Sequence, residues 1–220
     1  MNTDRPKHSS RRATPFLSAA AWCAAAASAL LLLVAPVRKA AAESHTGPGA
    51  KTGVKAEMLL WISDAEEKLN DLAAAMPAEK YSWTPAPGVR SVGEVFMHVA
   101  AANYGIPTFF GVKAPEGFNF PTFEKSKTTK EDISKELRAS FVHAKKGLEG
   151  MSDADMEKTA TFFGMTMTGR GGYMLILSHA HEHLGQSIAY ARSNGVTPPW
   201  TARQEAAIKE QQAKAAAGKK

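Results

Sequence analysis

At 220 residues, 44% of them hydrophobic, the chain is long enough for one ordinary domain plus extensions. A single cysteine excludes a fold built on disulfides. The formal net charge of +6 is concentrated at the N-terminus: six of the 27 Lys/Arg but only one of the 21 Asp/Glu precede Glu43. The rest is close to neutral, which argues against a nucleic-acid partner.

Residues 1–42 have the layout of a secretory signal. Arg5, Lys7, Arg11 and Arg12 form a basic lead, and an apolar run from Phe16 to Pro36 follows. Ala40-Ala41-Ala42 then offers a small-residue cleavage site. Cleavage there places the mature chain in the periplasm or outside the cell. An uncleaved run, near the length of a membrane span, would instead anchor it. Ser10-Arg11-Arg12 with Phe16-Leu17 leaves the export route open between the general secretory and twin-arginine pathways. The lone cysteine, Cys23, falls in the apolar run, so the mature chain would hold no thiolate ligand or nucleophile. Residues 43–51, with a solvated His45, read as a linker.

A bundle is expected over 52–200. The first helix, Thr52 to Ala75, carries Val54, Met58, Leu59, Trp61, Ile62, Ala65, Leu69, Leu72 and Ala73 at three- and four-residue steps, and Pro77 ends it. Trp83, Pro85, Pro87 and Gly88 make 78–90 an ordered loop if the tryptophan packs. Ser91 with Glu94 has capping-box spacing and opens a second helix, whose apolar stripe of Val92, Val95, Val99 and Ala102 includes His98. Asn103 to Lys127 mixes aromatics with glycine and proline, the pattern of a packed connection that walls a pocket. Thr128 and Glu131 open a third helix running to about Leu148, with His143 expected on its exposed side. In the second connection, 151–170, Thr159 to Thr168 alternates weakly and suggests a short extended piece. The fourth helix, over 171–192, stops at Gly195. The Ala/Lys-rich tail 201–220 lacks an apolar face and reads as partly helical and frayed. Four amphipathic helices without a clear strand run give an all-α four-helix bundle.

On the fourth helix His179 and His183 are one turn apart on a face shared with Leu175, Ile176, Gln186 and Tyr190, while His181 and Glu182 point elsewhere. Two inward imidazoles one turn apart can hold one metal ion. With His98 they form a three-histidine set that leaves coordination positions open, as catalytic rather than structural sites do. The same residues also suit a packed, hydrogen-bonded histidine cluster. Glu94, one turn before His98, can orient that ring, hold a water or simply cap its helix. Gln186, one turn past His183, can bond substrate or a ligand ring.

Trp83-x-Pro85-x-Pro87-Gly88-x-Arg90-Ser91-Val92-x-Glu94-x-x-x-His98, then His179-x-x-x-His183-x-Gly185-Gln186, then Gly195-x-x-Pro198-Pro199 occur in this order. In these motifs the chain resembles the DinB-like metal-binding bundles over about Val54 to Trp200. The resemblance implies that His98, His179 and His183 bind a divalent metal, most often zinc or nickel. It departs at Leu184, where the family often has arginine. The implied function is metal-dependent hydrolysis of a small-molecule substrate; from the sequence itself, Glu94 is the nearest candidate for a general base, and Gln186 can bond substrate or a ligand ring. Two alternatives stay open. One is transfer of a low-molecular-weight thiol such as bacillithiol or mycothiol, though these are mainly cytoplasmic and the chain reads as exported. The other is a non-catalytic periplasmic bundle binding a metal or small ligand in a pocket lined by Phe109, Phe110 and Tyr190. A homodimer is compatible with either.

Overall fold

A computed structural model describes residues 53–218. The expected signal over 1–42, with Cys23, and the linker over 43–51, with His45, lie outside the described residues. Helix α1 covers Val54–Ala75 and helix α2 covers Val92–Gly105. After a 3-10 turn over Ile106–Phe110 comes a single helical turn, α3, at Phe120–Phe123. Helix α4 covers Lys130–Gly150, and the short α5 covers Asp153–Glu157. Strands β1 (Thr159–Phe162) and β2 (Met165–Thr168) precede α6 (Gly169–Ser193), and α7 (Pro199–Ala217) ends the described chain.

The long helices α1, α2, α4 and α6 form the expected four-helix bundle. Both α1 and α2 pack on α4 and α6, so the order around the bundle is α1, α4, α2, α6. The consecutive helices α1 and α2 therefore sit at diagonal corners. Met58, Ile62, Ala65, Leu69 and Leu72 of α1 follow the helical repeat into the core, where Leu137, Phe141 and Leu148 of α4 and Tyr173, Ile176 and Ala180 of α6 meet them. Two members of the expected α1 stripe differ: Val54 and Trp61 are exposed, and the indole edge of Trp61 meets His181.

Helix α2 is apolar almost all round and is buried accordingly. The only α2 residues that are not fully buried are Glu94 and His98, one turn apart. Of the two, Glu94 lines a groove. The N-terminus of α2 is fixed by the predicted capping box: Glu94 N–H donates to Ser91 Oγ at 3.3 Å and Ser91 N–H donates to Glu94 Oε2 at 2.8 Å. The preceding loop is ordered, with Trp83 packed edge-on against Tyr190 at 5.3 Å between ring centres.

The weakly alternating piece at 159–168 is an antiparallel hairpin pairing Thr159 with Thr168 and Phe162 with Met165. Its two-residue turn puts Phe163 at φ 45° and Gly164 at φ 79°, the positive pair that suits the twist of a tight hairpin. Helix α6 starts two residues earlier than the sequence suggests, because Thr168 Oγ1 accepts the Gly171 N–H and caps it. It ends in a Schellman motif: Gly195 N–H donates to Arg192 O and Val196 N–H to Ala191 O, with Gly195 at φ 74°.

His143 corrects an expectation. It is half-buried rather than exposed, its ring lies edge-on to Tyr104 at 5.2 Å, and burial lowers its pKa. The tail also forms more helix than expected, with α7 starting inside the assigned bundle at Pro199. Trp200 packs on the core, and Arg203 forms an ion pair with Asp71 of α1. Among the described residues no helix is long and apolar enough to cross a membrane.

Candidate metal centre

His98 of α2 and His179 and His183 of α6 come together where these two helices face one another. One ring nitrogen from each lies within 4.8 Å of the others. The ring centres are 4.4 to 4.8 Å apart, and His98 Nε2 is 3.0 Å from His179 Nε2. In a tetrahedral zinc site two ligating imidazole nitrogens stand about 3.3 Å apart, so this pair needs little adjustment to share an ion. His183 is buried, and His98 and His179 are half-buried.

Burial, with the neighbouring His183 and His98, holds the His179 pKa down to about 3. Burial also lowers His98, outweighing its carboxylate partner. Both rings are therefore neutral near pH 7, the state in which imidazole binds a metal. All three donors are imidazoles, a set that suits zinc, nickel, copper or iron and leaves coordination positions free. The donor chemistry and spacing fit a divalent transition metal.

Two of the rings are oriented by a surrounding layer of hydrogen bonds. His98 Nδ1 contacts Glu124 Oε1, and the carboxylate can only accept, so Nδ1 carries the proton and Nε2 is left with its lone pair. Arg90 holds Glu124 in turn, with Nε donating to Oε2 at 2.8 Å and Nη2 to Oε1 at 3.3 Å. Burial pushes the Glu124 pKa up, but the bonds from Arg90 and His98 prevail and the net shift is downward. On the other side His183 Nδ1 donates to Gln186 Oε1 at 2.8 Å, which frees its Nε2 in the same way. Gln186 Nε2 donates to the Tyr190 hydroxyl at 2.9 Å, and that hydroxyl donates to the carbonyl of Arg90 at 3.2 Å.

The predicted residues fall as follows. The three histidines converge, and Gln186 bonds a histidine ring. Glu94 lies on the same stripe as His98, but its Oε2 is engaged in the capping box, and the carboxylate bonded to His98 belongs to Glu124. Sequence reasoning missed Glu124. It sits just past α3 among breakers, 26 residues from His98, and no local spacing marks it. His181 and Glu182 do point away: His181 Nδ1 donates to Leu177 O at 3.0 Å, beside Asp64 and Trp61. Phe109 and Phe110 lie on the hairpin side, against Phe162 and Gly172, whereas Tyr190 stands beside Gln186. Leu184 is buried in the apolar core.

A groove of about 590 Å³ lined by Arg90, Glu94, Glu124, Lys125 and Gln186 runs past this layer. A second, of about 440 Å³, shares Val89, Glu94, Glu124 and Lys125 with it and extends to Tyr81, Lys127 and Ile133. A small molecule in these grooves would lie against the residues that orient His98 and His183.

The DinB superfamily model matches residues 62–187, which take in the convergent histidines and most of the bundle. The chain belongs to the DinB superfamily. Solved structures agree on the fold. A DinB-like protein from Bacillus cereus ATCC 10987 is 23% identical with a TM-score of 0.57, covering 64% of this chain and 93% of that one. A DinB family member from Exiguobacterium sibiricum 255-15 is 20% identical with a TM-score of 0.53, covering 66% and 93%. YfiT from Bacillus subtilis is 13% identical with a TM-score of 0.54, covering 69% and 95%. It is described as a probable metal-dependent hydrolase with an unusual four-helix bundle topology. No curated protein sequence matches the chain.

Proposed function

We propose that this DinB-superfamily chain is an exported metal-dependent hydrolase acting on a small molecule, with His98, His179 and His183 holding zinc or nickel. The observation that carries this is the convergence of three imidazoles, two of them locked by hydrogen bonds in the tautomer that frees Nε2. The description of YfiT, which shares the fold, points the same way. Held by His98, His179 and His183, a divalent ion would supply Lewis acidity toward a water molecule and a carbonyl or phosphoryl oxygen.

The chain's own residues do the rest. Glu94 lines the groove, and among the described residues only its Oε2 is hydrogen-bonded, so its other oxygen is free to take a proton. Gln186 and Glu124 hold the histidine rings, and Arg90 and Lys125 line the same groove as Glu94. The basic and apolar lead over 1–42 supports a periplasmic or secreted location.

The test is a panel of carboxylic, amide and phosphate ester substrates offered to the metal-loaded protein, with and without chelator. The expected result is hydrolysis that chelation abolishes. Glu94→Gln is expected to lower the rate by about 10²- to 10⁴-fold with metal content unchanged. Thiol-dependent consumption of electrophiles in place of hydrolysis would overturn the reaction class. A Glu94→Gln rate equal to wild type would remove Glu94 as the base.

A further inference from the structure

The two hydrogen-bond chains that leave the histidines end on the same residue. From His98 the chain runs through Glu124 to the guanidinium of Arg90. From His183 it runs through Gln186 and Tyr190 to the carbonyl of Arg90. These bonds join the fourth bundle helix to the loop before α2 and to the segment after α3, which are far apart in sequence. Trp83, packed edge-on to Tyr190, buttresses the same corner.

We propose that Arg90 and Glu124 act as a positioning pair for the metal centre, with Arg90 the point at which the orientation of His98 and that of His183 are tied together. This presupposes the metal site proposed above. A neutral imidazole offers one lone pair, and which nitrogen bears it depends on what the other nitrogen bonds. Glu124 keeps the proton of His98 on Nδ1, so that Nε2 faces His179. Arg90 clamps both carboxylate oxygens and keeps Glu124 turned to His98, a task suited to a planar fork of donors. Outer partners of this kind commonly change metal affinity by about 10- to 100-fold. His179 has no comparable partner on Nδ1 among the described hydrogen bonds, so the set is held from two of its three members.

Two measurements on the protein test the pair. The first is the tautomer of His98 in the metal-free protein, read from the two ring nitrogen shifts by long-range proton–nitrogen NMR. The wild type is expected to hold the Nδ1–H form, and Arg90→Met and Glu124→Ala to show a mixture of both forms. The second is metal affinity by competition with a chromogenic chelator, using zinc or nickel alone. Glu124→Ala is expected to weaken binding by about 10- to 100-fold and Arg90→Met by less. The double variant should be no weaker than Glu124→Ala, because the guanidinium acts through the carboxylate. Glu124→Gln keeps an acceptor for Nδ1–H and should recover part of the loss.

An unchanged His98 tautomer in both single variants, or losses that simply add in the double variant, would overturn the pair. The NMR readout needs no metal. A wild type that binds none yet shows the expected tautomer shifts would refute the metal site, and with it the role toward a metal, while leaving the control of the His98 tautomer by Arg90 and Glu124 standing.

Discussion

At the scale of single residues, the proposed centre rests on three converging imidazoles, two of them held by hydrogen bonds with Nε2 free, and burial favours the neutral form of His98 and His179. His179 is kept neutral by burial and by its two neighbours, and His98 is turned by Glu124. His181, two residues from His179 and His183, is the natural control, because its ring meets Trp61 and a main-chain carbonyl on the far side of α6. His181→Ala is expected to retain full metal content in elemental analysis, and loss of metal there would mean that the ligands are misassigned. The three histidines were legible because two share a fixed four-residue spacing and the third sits on an apolar stripe. Glu124 was not legible. It reaches His98 from a segment of glycine, proline and phenylalanine whose path no periodicity describes. Glu94 drew the orienting role in its place, being one turn away, whereas its carboxylate closes the helix cap.

At the scale of elements, α2 carries the largest constraint. A helix buried on nearly every side cannot turn about its axis without forcing side chains into its neighbours, so the facing of Glu94 and His98 is fixed. Its start is fixed by the Ser91 cap. Ser91→Ala is expected to cost about 1 kcal/mol of stability in urea unfolding while leaving the helix in place. A cost near zero would mean that the reciprocal bonds between Ser91 and Glu94 contribute nothing net. The four long helices were readable from their apolar repeats, and the ends of α2 and α6 from Ser91 and Gly195. The hairpin was only glimpsed, since four-residue strands carry little alternation and the turn has Phe163 where Asn or Gly is usual. Helix α7 was underestimated. Its Ala, Lys, Gln and Glu favour helix by propensity alone, and Trp200 and Arg203 tie its first turns to the bundle without an apolar stripe.

At the scale of the whole molecule, the bundle order α1, α4, α2, α6 is what brings α2 beside α6 and so His98 beside His179 and His183. Amphipathic stripes reveal that a face is buried but not which helix covers it, and the diagonal placement of α1 and α2 could not be read from them. The bundle and its histidines serve one another: core packing sets the helix facing, and the Arg90-centred hydrogen bonds finish the alignment. The measurement that bears most directly on this account is the metal content of the purified protein, prepared without a polyhistidine tag, beside His98→Ala and His183→Ala. The expected result is about one equivalent of zinc or nickel in the wild type and its loss in both variants, with helical circular dichroism retained. A wild type that takes up no divalent metal even after reconstitution, or variants that keep it, would contradict the account.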